Sequence, residues 1–337
     1  AVSNVTWHPD GSHLASASLD RTAIIWDTDS KDTGTWAQET ILGGHKDAIW
    51  NVAWHPDGSH LATASSDRTI RVWNTDTWAP EAVLTGHTDA VWSVAWHPDG
   101  DHLASASSDQ TVIIWETDPW QQGTVLSRHA DTVRSVTWHP NGSHLASASD
   151  DQTIIVWETD HWRQETVLSG HADAVRNVAW HPDGSHLASA SDDQTVIVWA
   201  VEPWQQETVF SGYNDSIWSV AWRPNGAQLA SGSFDRSIIV WDTDTWWNEI
   251  VLNGHTDVVL SAAWHPGGSH LASASADQST IVWDMGTWEE DTVLNGHTDV
   301  VRSVAWHPNG TRLATAADDR NIIIWDTDAW TQETVLS

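Results

Sequence analysis

Eight tryptophans set the frame of this 337-residue chain. Trp26, Trp73, Trp115, Trp157, Trp199, Trp241, Trp283 and Trp325 each close an apolar run such as TIIVW or TVIIW, spaced once by 47 residues and six times by 42. A fixed period of this length makes the chain an array that grows by adding units, so its length no longer argues for several separate cores. The surplus residues of the first unit fall around 30–34. Every later unit opens on a tetrapeptide like Gly86-His87-Thr88-Asp89, which the first unit lacks. Both ends thus fall at the same joint of the repeat, which reads as a domain excised from a longer protein or as an engineered segment.

Within the third unit, residues 90–96 alternate and stop at the turn His97-Pro98-Asp99-Gly100. Proline presets φ and Asp-Gly suits a tight hairpin. A second strand is expected over 102–107, a third over the β-branched run 111–115, and an outer one over 120–126. No window carries helical periodicity. A four-stranded unit cannot bury both of its faces alone, so neighbours must stack, and a ring removes the open ends.

Gly-His, a Pro-Asp-Gly turn and a closing Trp-Asp, repeated through the whole chain, resemble the WD-repeat propeller family. The closing dipeptide drifts to Trp73-Asn74, Trp115-Glu116, Trp157-Glu158 and Trp199-Ala200. The resemblance implies an all-β fold, an eight-bladed β-propeller with four antiparallel strands per blade. One domain, 1–337, is expected, with blades near 1–43, 44–85, 86–127, 128–169, 170–211, 212–253, 254–295 and 296–337. It also implies a hydrogen-bond relay inside each blade, in the third unit His87, Ser105, Asp109 and Trp115. A buried indole N–H needs an acceptor, a hydroxyl can pass the bond on, and an aspartate fixes the imidazole tautomer. Ser, His and Asp invite a hydrolase reading. The hydroxyl is already engaged by the tryptophan, however, and every unit repeats the set, so no enzyme is expected. Unit 6 has Tyr213 in place of the histidine and unit 1 has none, so these two blades should be the least well braced. The last and first blades exchange no strand, which marks that joint as a candidate weak point.

Near-copies side by side expose two columns that change chemically. One holds Ser3, Trp50, Trp92, Arg134, Arg176, Trp218, Leu260 and Arg302; the other holds Leu19, Ser66, Ser108, Asp150, Asp192, Phe234, Ala276 and Asp318. They vary together, each Arg meeting an Asp, which predicts contacts Arg134–Asp150, Arg176–Asp192 and Arg302–Asp318. In the family fold both columns surround the channel mouth, on the face of the d–a and b–c loops. Trp and Arg are enriched at binding hot spots. The reading is therefore a recognition module that binds a protein or peptide through Trp50, Trp92, Arg134, Arg176, Trp218, Phe234 and Arg302. A third column, after the outer-strand tryptophan, reads as drift on a solvated strand (Ala37, Ala79, Gln121, Arg163, Gln205, Trp247, Glu289, Thr331).

Two alternatives stand beside that reading. The outer-strand tryptophans (Trp36, Trp78, Trp120, Trp162, Trp204, Trp246, Trp288, Trp330) could stack sugars as in a propeller lectin, or the array could be a ligand-free scaffold. Paired hairpin histidines such as His97/His102 lack a third ligand, so neither metal nor cofactor is expected. The ring of Asp47, Asp89, Asp131, Asp173, Asp215, Asp257 and Asp299 reads as local backbone caps. A net charge of −32 repels phosphate, arguing against nucleic acid and anionic membrane. No apolar stretch nears a membrane span and no leader precedes the first unit, so a cytoplasmic monomer is expected. Absent cysteine excludes disulfides.

Overall fold

A computed structural model describes residues 1–28 and 36–337, with only the backbone of 248 and 249. The surplus residues around 30–34 lie outside the described residues. Eight four-stranded antiparallel sheets follow one another, each with its strands in chain order from the inside outward. In the third these are Val91–Trp96, His102–Ser107, Val112–Thr117 and Trp120–Leu126. The innermost strand of every sheet packs on those of the sheets before and after it, and the last sheet packs on the first. The result is a closed eight-bladed β-propeller. No described segment is a helix, and hence none is long and apolar enough to cross a membrane.

Register and burial explain why each run becomes the strand it does. Leu103 lies opposite Trp96 on one side and Trp115 on the other, while the third strand buries Val112, Ile113, Ile114 and Trp115 in succession. Both faces of this strand are covered, so it shows no alternation. The cores lie between blades: Ala62, Ala64, Ile70, Val72 and Leu84 of one sheet meet Val91, Val94, Trp96, Leu103, Ile113 and Trp115 of the next. Small alanines on one face admit bulky side chains from the other, at the packing density interiors require.

The a–b hairpin turns also lock the blades together. Gly100 has φ +84°, and a Cβ there would stand 2.1 Å from Nε2 of His55 in the preceding blade. That nitrogen lies 3.3 Å from the Gly100 carbonyl, and the ring meets Trp96 edge to face at 4.8 Å. The hairpin histidines are thus interlocking parts of the blade joints. The last-to-first joint has the same construction. His307 Nε2 lies 3.1 Å from the Gly11 carbonyl, and Trp7 Nε1 donates to Ala305 at 3.0 Å. Val2, Val5, Trp7, Leu14 and Trp26 share a core there with Ala314, Ala316, Ile322, Ile324 and Leu336. Without a shared strand, this joint still carries the tryptophan bond found at the other seven and the histidine contact found at five of them.

Candidate functional site

The relay atoms meet in blade 3. Trp115 Nε1 donates to Ser105 Oγ at 2.8 Å, Ser105 Oγ lies 2.8 Å from His87 Nε2, and His87 Nδ1 lies 2.8 Å from Asp109 Oδ2. Asp109 also accepts from the Thr88 and Thr111 backbone amides. With the carboxylate accepting at Nδ1–H, the network leaves Nε2 to accept from the serine hydroxyl. In blade 2, burial works to raise the pKa of Asp67. Hydrogen bonds from Thr69, the Lys46 amide and His45 overcome that and hold it at about 2. Burial lowers the pKa of His45 against the pull of Asp67, keeping the ring neutral. A hydroxyl buried between indole and imidazole has no approach for a substrate.

The two departing blades differ from each other. Tyr213 is buried and donates to the Ser231 carbonyl at 3.0 Å while also touching Ser231 Oγ, so phenol replaces imidazole. In blade 1, Ser16 Oγ accepts from Trp26 at 3.2 Å and donates to the Ile24 carbonyl, with no histidine beside it. The aspartates two residues before the innermost strands, such as Asp47 and Asp89, accept from the next backbone amide at 2.8 and 2.7 Å.

The variable columns stand at the start of the innermost strands and on the adjoining b–c turns, where neighbouring blades approach each other. Trp50 and Trp92 lie 4.8 Å apart, centroid to centroid, and their N–H groups donate to Ser66 and Ser108 at 2.6 Å. The Arg134 guanidinium sits 4.9 Å over the Trp92 ring and grips Asp150 from two nitrogens. Arg176 pairs with Asp192 of its own blade and reaches back to Asp150 at 3.2 Å. Its guanidinium lies 5.6 Å from the Trp218 ring, which stacks on Phe234 at 4.8 Å. Trp50 to Phe234 is therefore one unbroken line of touching side chains through blades 2 to 6. Arg302 lies apart from it, pairing with Asp318 at 2.6 Å. Sequence reasoning missed the cross-blade reach of Arg176 and the guanidinium–indole contacts. Trp218, 40% exposed, is the most open aromatic ring of the line.

The outer-strand tryptophans have a different setting. Trp120 meets Trp96 edge to face at 5.8 Å and donates to Glu81 of the preceding blade at 2.9 Å. Trp36, Trp246 and Trp330 donate in the same way to Glu333, Glu207 and Asp291. These rings staple one blade to the next. The hairpin histidines His97 and His102 face each other at 6.0 Å, and no group of three or more metal-binding side chains gathers among the described residues.

Comparison with known proteins agrees with this architecture. A family model described as the echinoderm microtubule-associated protein second beta-propeller matches residues 49–219, about half the chain. The model described as WD domain, G-beta repeat matches residues 1–27, 204–242, 247–284 and 288–326. No curated protein matches at a significant level. Propellers of this kind are typically scaffolds for protein interaction and mostly lack enzymatic activity. With the repeat, the eight sheets and the family models in agreement, the chain belongs to the WD-repeat β-propeller family.

Proposed function

We propose that this chain is a non-enzymatic recognition module that binds a protein or peptide at the rim of its channel mouth. The observation that carries the reading is the continuous line Trp50, Trp92, Arg134, Asp150, Arg176, Trp218 and Phe234. In a molecule built of near-copies, chemical variety concentrates on this line. Its tryptophans keep partly open faces while their neighbours hold them in place, so a partner would order few side chains on binding. Guanidinium–carboxylate pairs beside the rings supply directional bonds at the edge of an apolar contact. Arg302 would extend the surface on the far side of the ring.

The test is selection of peptides from a displayed library on the intact propeller, followed by affinity measurement on variants. Trp92→Ala and Trp218→Ala should each weaken selected peptides at least tenfold, in keeping with aromatic hot spots. Trp330→Ala, on an outer strand, should leave them unchanged. Peptides insensitive to both rim substitutions would overturn the reading.

A further inference from the structure

The joints between blades are near-copies, so a joint that breaks the copy in several places at once is informative. On seven outer strands a carboxylate stands three residues after the tryptophan: Glu39, Glu81, Glu165, Glu207, Glu249, Asp291 and Glu333. Four of these accept the indole N–H of the following blade. Glu81 is also held by His60 at 3.0 Å, Glu207 by His186 at 2.8 Å and Glu333 by Arg312 at 2.8 Å. The fold thus contains a built-in carboxylate receptor between adjacent outer strands and fills it itself at four joints, while Trp78 and Trp204 have no indole acceptor among the described residues. Just before the relay histidine, or Tyr213 in its place, six blades have glycine. At Gly86 a Cβ would stand 2.4 Å from Gln122 Oε1 and 3.1 Å from the Trp115 ring.

Between blades 3 and 4 three positions change together. Gly123 replaces the carboxylate, Arg128 replaces the glycine, and Arg163 follows the outer-strand Trp162. One anion is lost and a cation gained at Arg128, with a second at Arg163, on a chain of net charge −32. Left without its usual partner, His102 turns to Glu116 at 3.2 Å. The Trp162 N–H has no acceptor, and neither arginine side chain has an ion pair or hydrogen bond among the described residues. A groove of about 690 Å³ opens here, lined by Val125, Leu126, Arg128, Trp162, Arg163 and Gln164 among others. Val125 is 43% exposed beside it.

We propose that this groove binds an acidic peptide segment of a partner, one of its side-chain carboxylates meeting the two cations Arg128 and Arg163. Trp162 Nε1 donates to that carboxylate, Arg128 and Arg163 pair with it and with a second acid, and Val125 packs an adjacent aliphatic side chain. Charge complementarity is local: a polyanion such as nucleic acid meets the acidic field of the whole ring, whereas a short acidic segment meets mainly the two guanidinium groups. The groove is lined by outer-strand residues, by the d–a connection at Arg128 and by Trp157, and shares no residue with the rim line, so the two sites can be tested separately.

The experiment follows the Trp162 indole ¹H–¹⁵N resonance of the intact chain, assigned through Trp162→Phe, on titration with acetyl-Leu-Glu-Glu-Leu-amide. A saturable shift is expected with this peptide and none with acetyl-Leu-Gln-Gln-Leu-amide. Gly123→Glu, which restores the residue type of neighbouring outer strands, should weaken binding at least tenfold by adding a carboxylate that competes for the cations. The double variant Arg128→Gly with Arg163→Gln should do so by removing the cations. Unchanged affinity in either variant overturns the proposal. So does a peptide that shifts only the Trp50, Trp92 and Trp218 resonances, or free acetate that binds as tightly as the peptide.

Discussion

Replacing the relay serine by alanine in three different blades separates the contribution of the histidine from that of the tryptophan. In blade 3, Ser105 Oγ bonds Trp115 Nε1, His87 Nε2 and the Ile113 carbonyl, and none of its surface is exposed. Ser105→Ala removes one oxygen and leaves little cavity, but it strands two buried polar groups. Each stranded group costs about 1–3 kcal/mol, so a loss of about 2–6 kcal/mol is expected. In blade 1 the same change at Ser16 strands only Trp26 Nε1. In blade 6, Tyr213 keeps the Ser231 carbonyl as acceptor after Ser231→Ala, so again only one indole, that of Trp241, is orphaned. Both variants should lose about 1–3 kcal/mol.

The ordering is the test. Urea denaturation followed by circular dichroism, at one temperature and pH, should place Ser105→Ala below both other variants. Exchange of the affected indole N–H, followed by NMR, reports the same loss locally, which matters because a repeat array need not unfold in one step. Equal losses at Ser105 and Ser16 would refute the reasoning, because the imidazole bond would then contribute nothing beyond the indole bond.

Two further outcomes follow from the joints and from the relay carboxylates. Gly100→Ala combines a left-handed backbone with a Cβ 2.1 Å from His55, and should cost more than about 2 kcal/mol. Gly43→Ala, with nothing within 4 Å, should stay within about 0.5 kcal/mol, and similar thermal midpoints for the two variants would contradict the interlock. Asp67 is held at about 2 in the fold against an ordinary 3.8, so its stabilisation is complete above pH 4 and disappears as pH falls toward 2. His45, lowered by burial, adds a loss in the same direction below its unfolded value of 6.5. The stability gap between the parent chain and Asp67→Asn should therefore close between pH 4 and pH 2, and a gap constant with pH would contradict this assignment.

What could be read from the chain divides at the blade boundary. Within a blade the sequence reading needs only one copy: the turn at Pro98-Asp99-Gly100 and the apolar run ending in Trp115 are local consequences of strand register, and the relay of His87, Ser105 and Asp109 is what the family resemblance implies. Even the pairing of Arg134 with Asp150 shows itself, because the two columns change in step. Contacts between blades depend on how one sheet is offset against the next, which no single unit encodes. That is why the reach of Arg176 to Asp150, and the seat of His55 on Gly100, were not legible.

A signal for those contacts was nevertheless present, in the exceptions. Arg223 stands where most blades have the hairpin histidine, and its Nε lies 2.8 Å from where a Cβ on Gly268 would be, so the substituted side chain still covers the next blade's glycine. Arg128 and Arg163 stand 35 positions apart in sequence and border one groove, and Gly123 departs from the pattern at the same joint. In an array of near-identical units, departures that accumulate at a single joint are spatial information of the kind co-varying positions give in alignments. The same logic ranks the surfaces of this molecule. A column that changes alone is free to drift, whereas columns that change together across a joint are held by a shared contact or by a shared ligand. The groove between blades 3 and 4 has no internal pair to account for its coordinated change, since both of its arginine side chains are without a partner among the described residues, and that is the physical reason to look for the partner outside the chain.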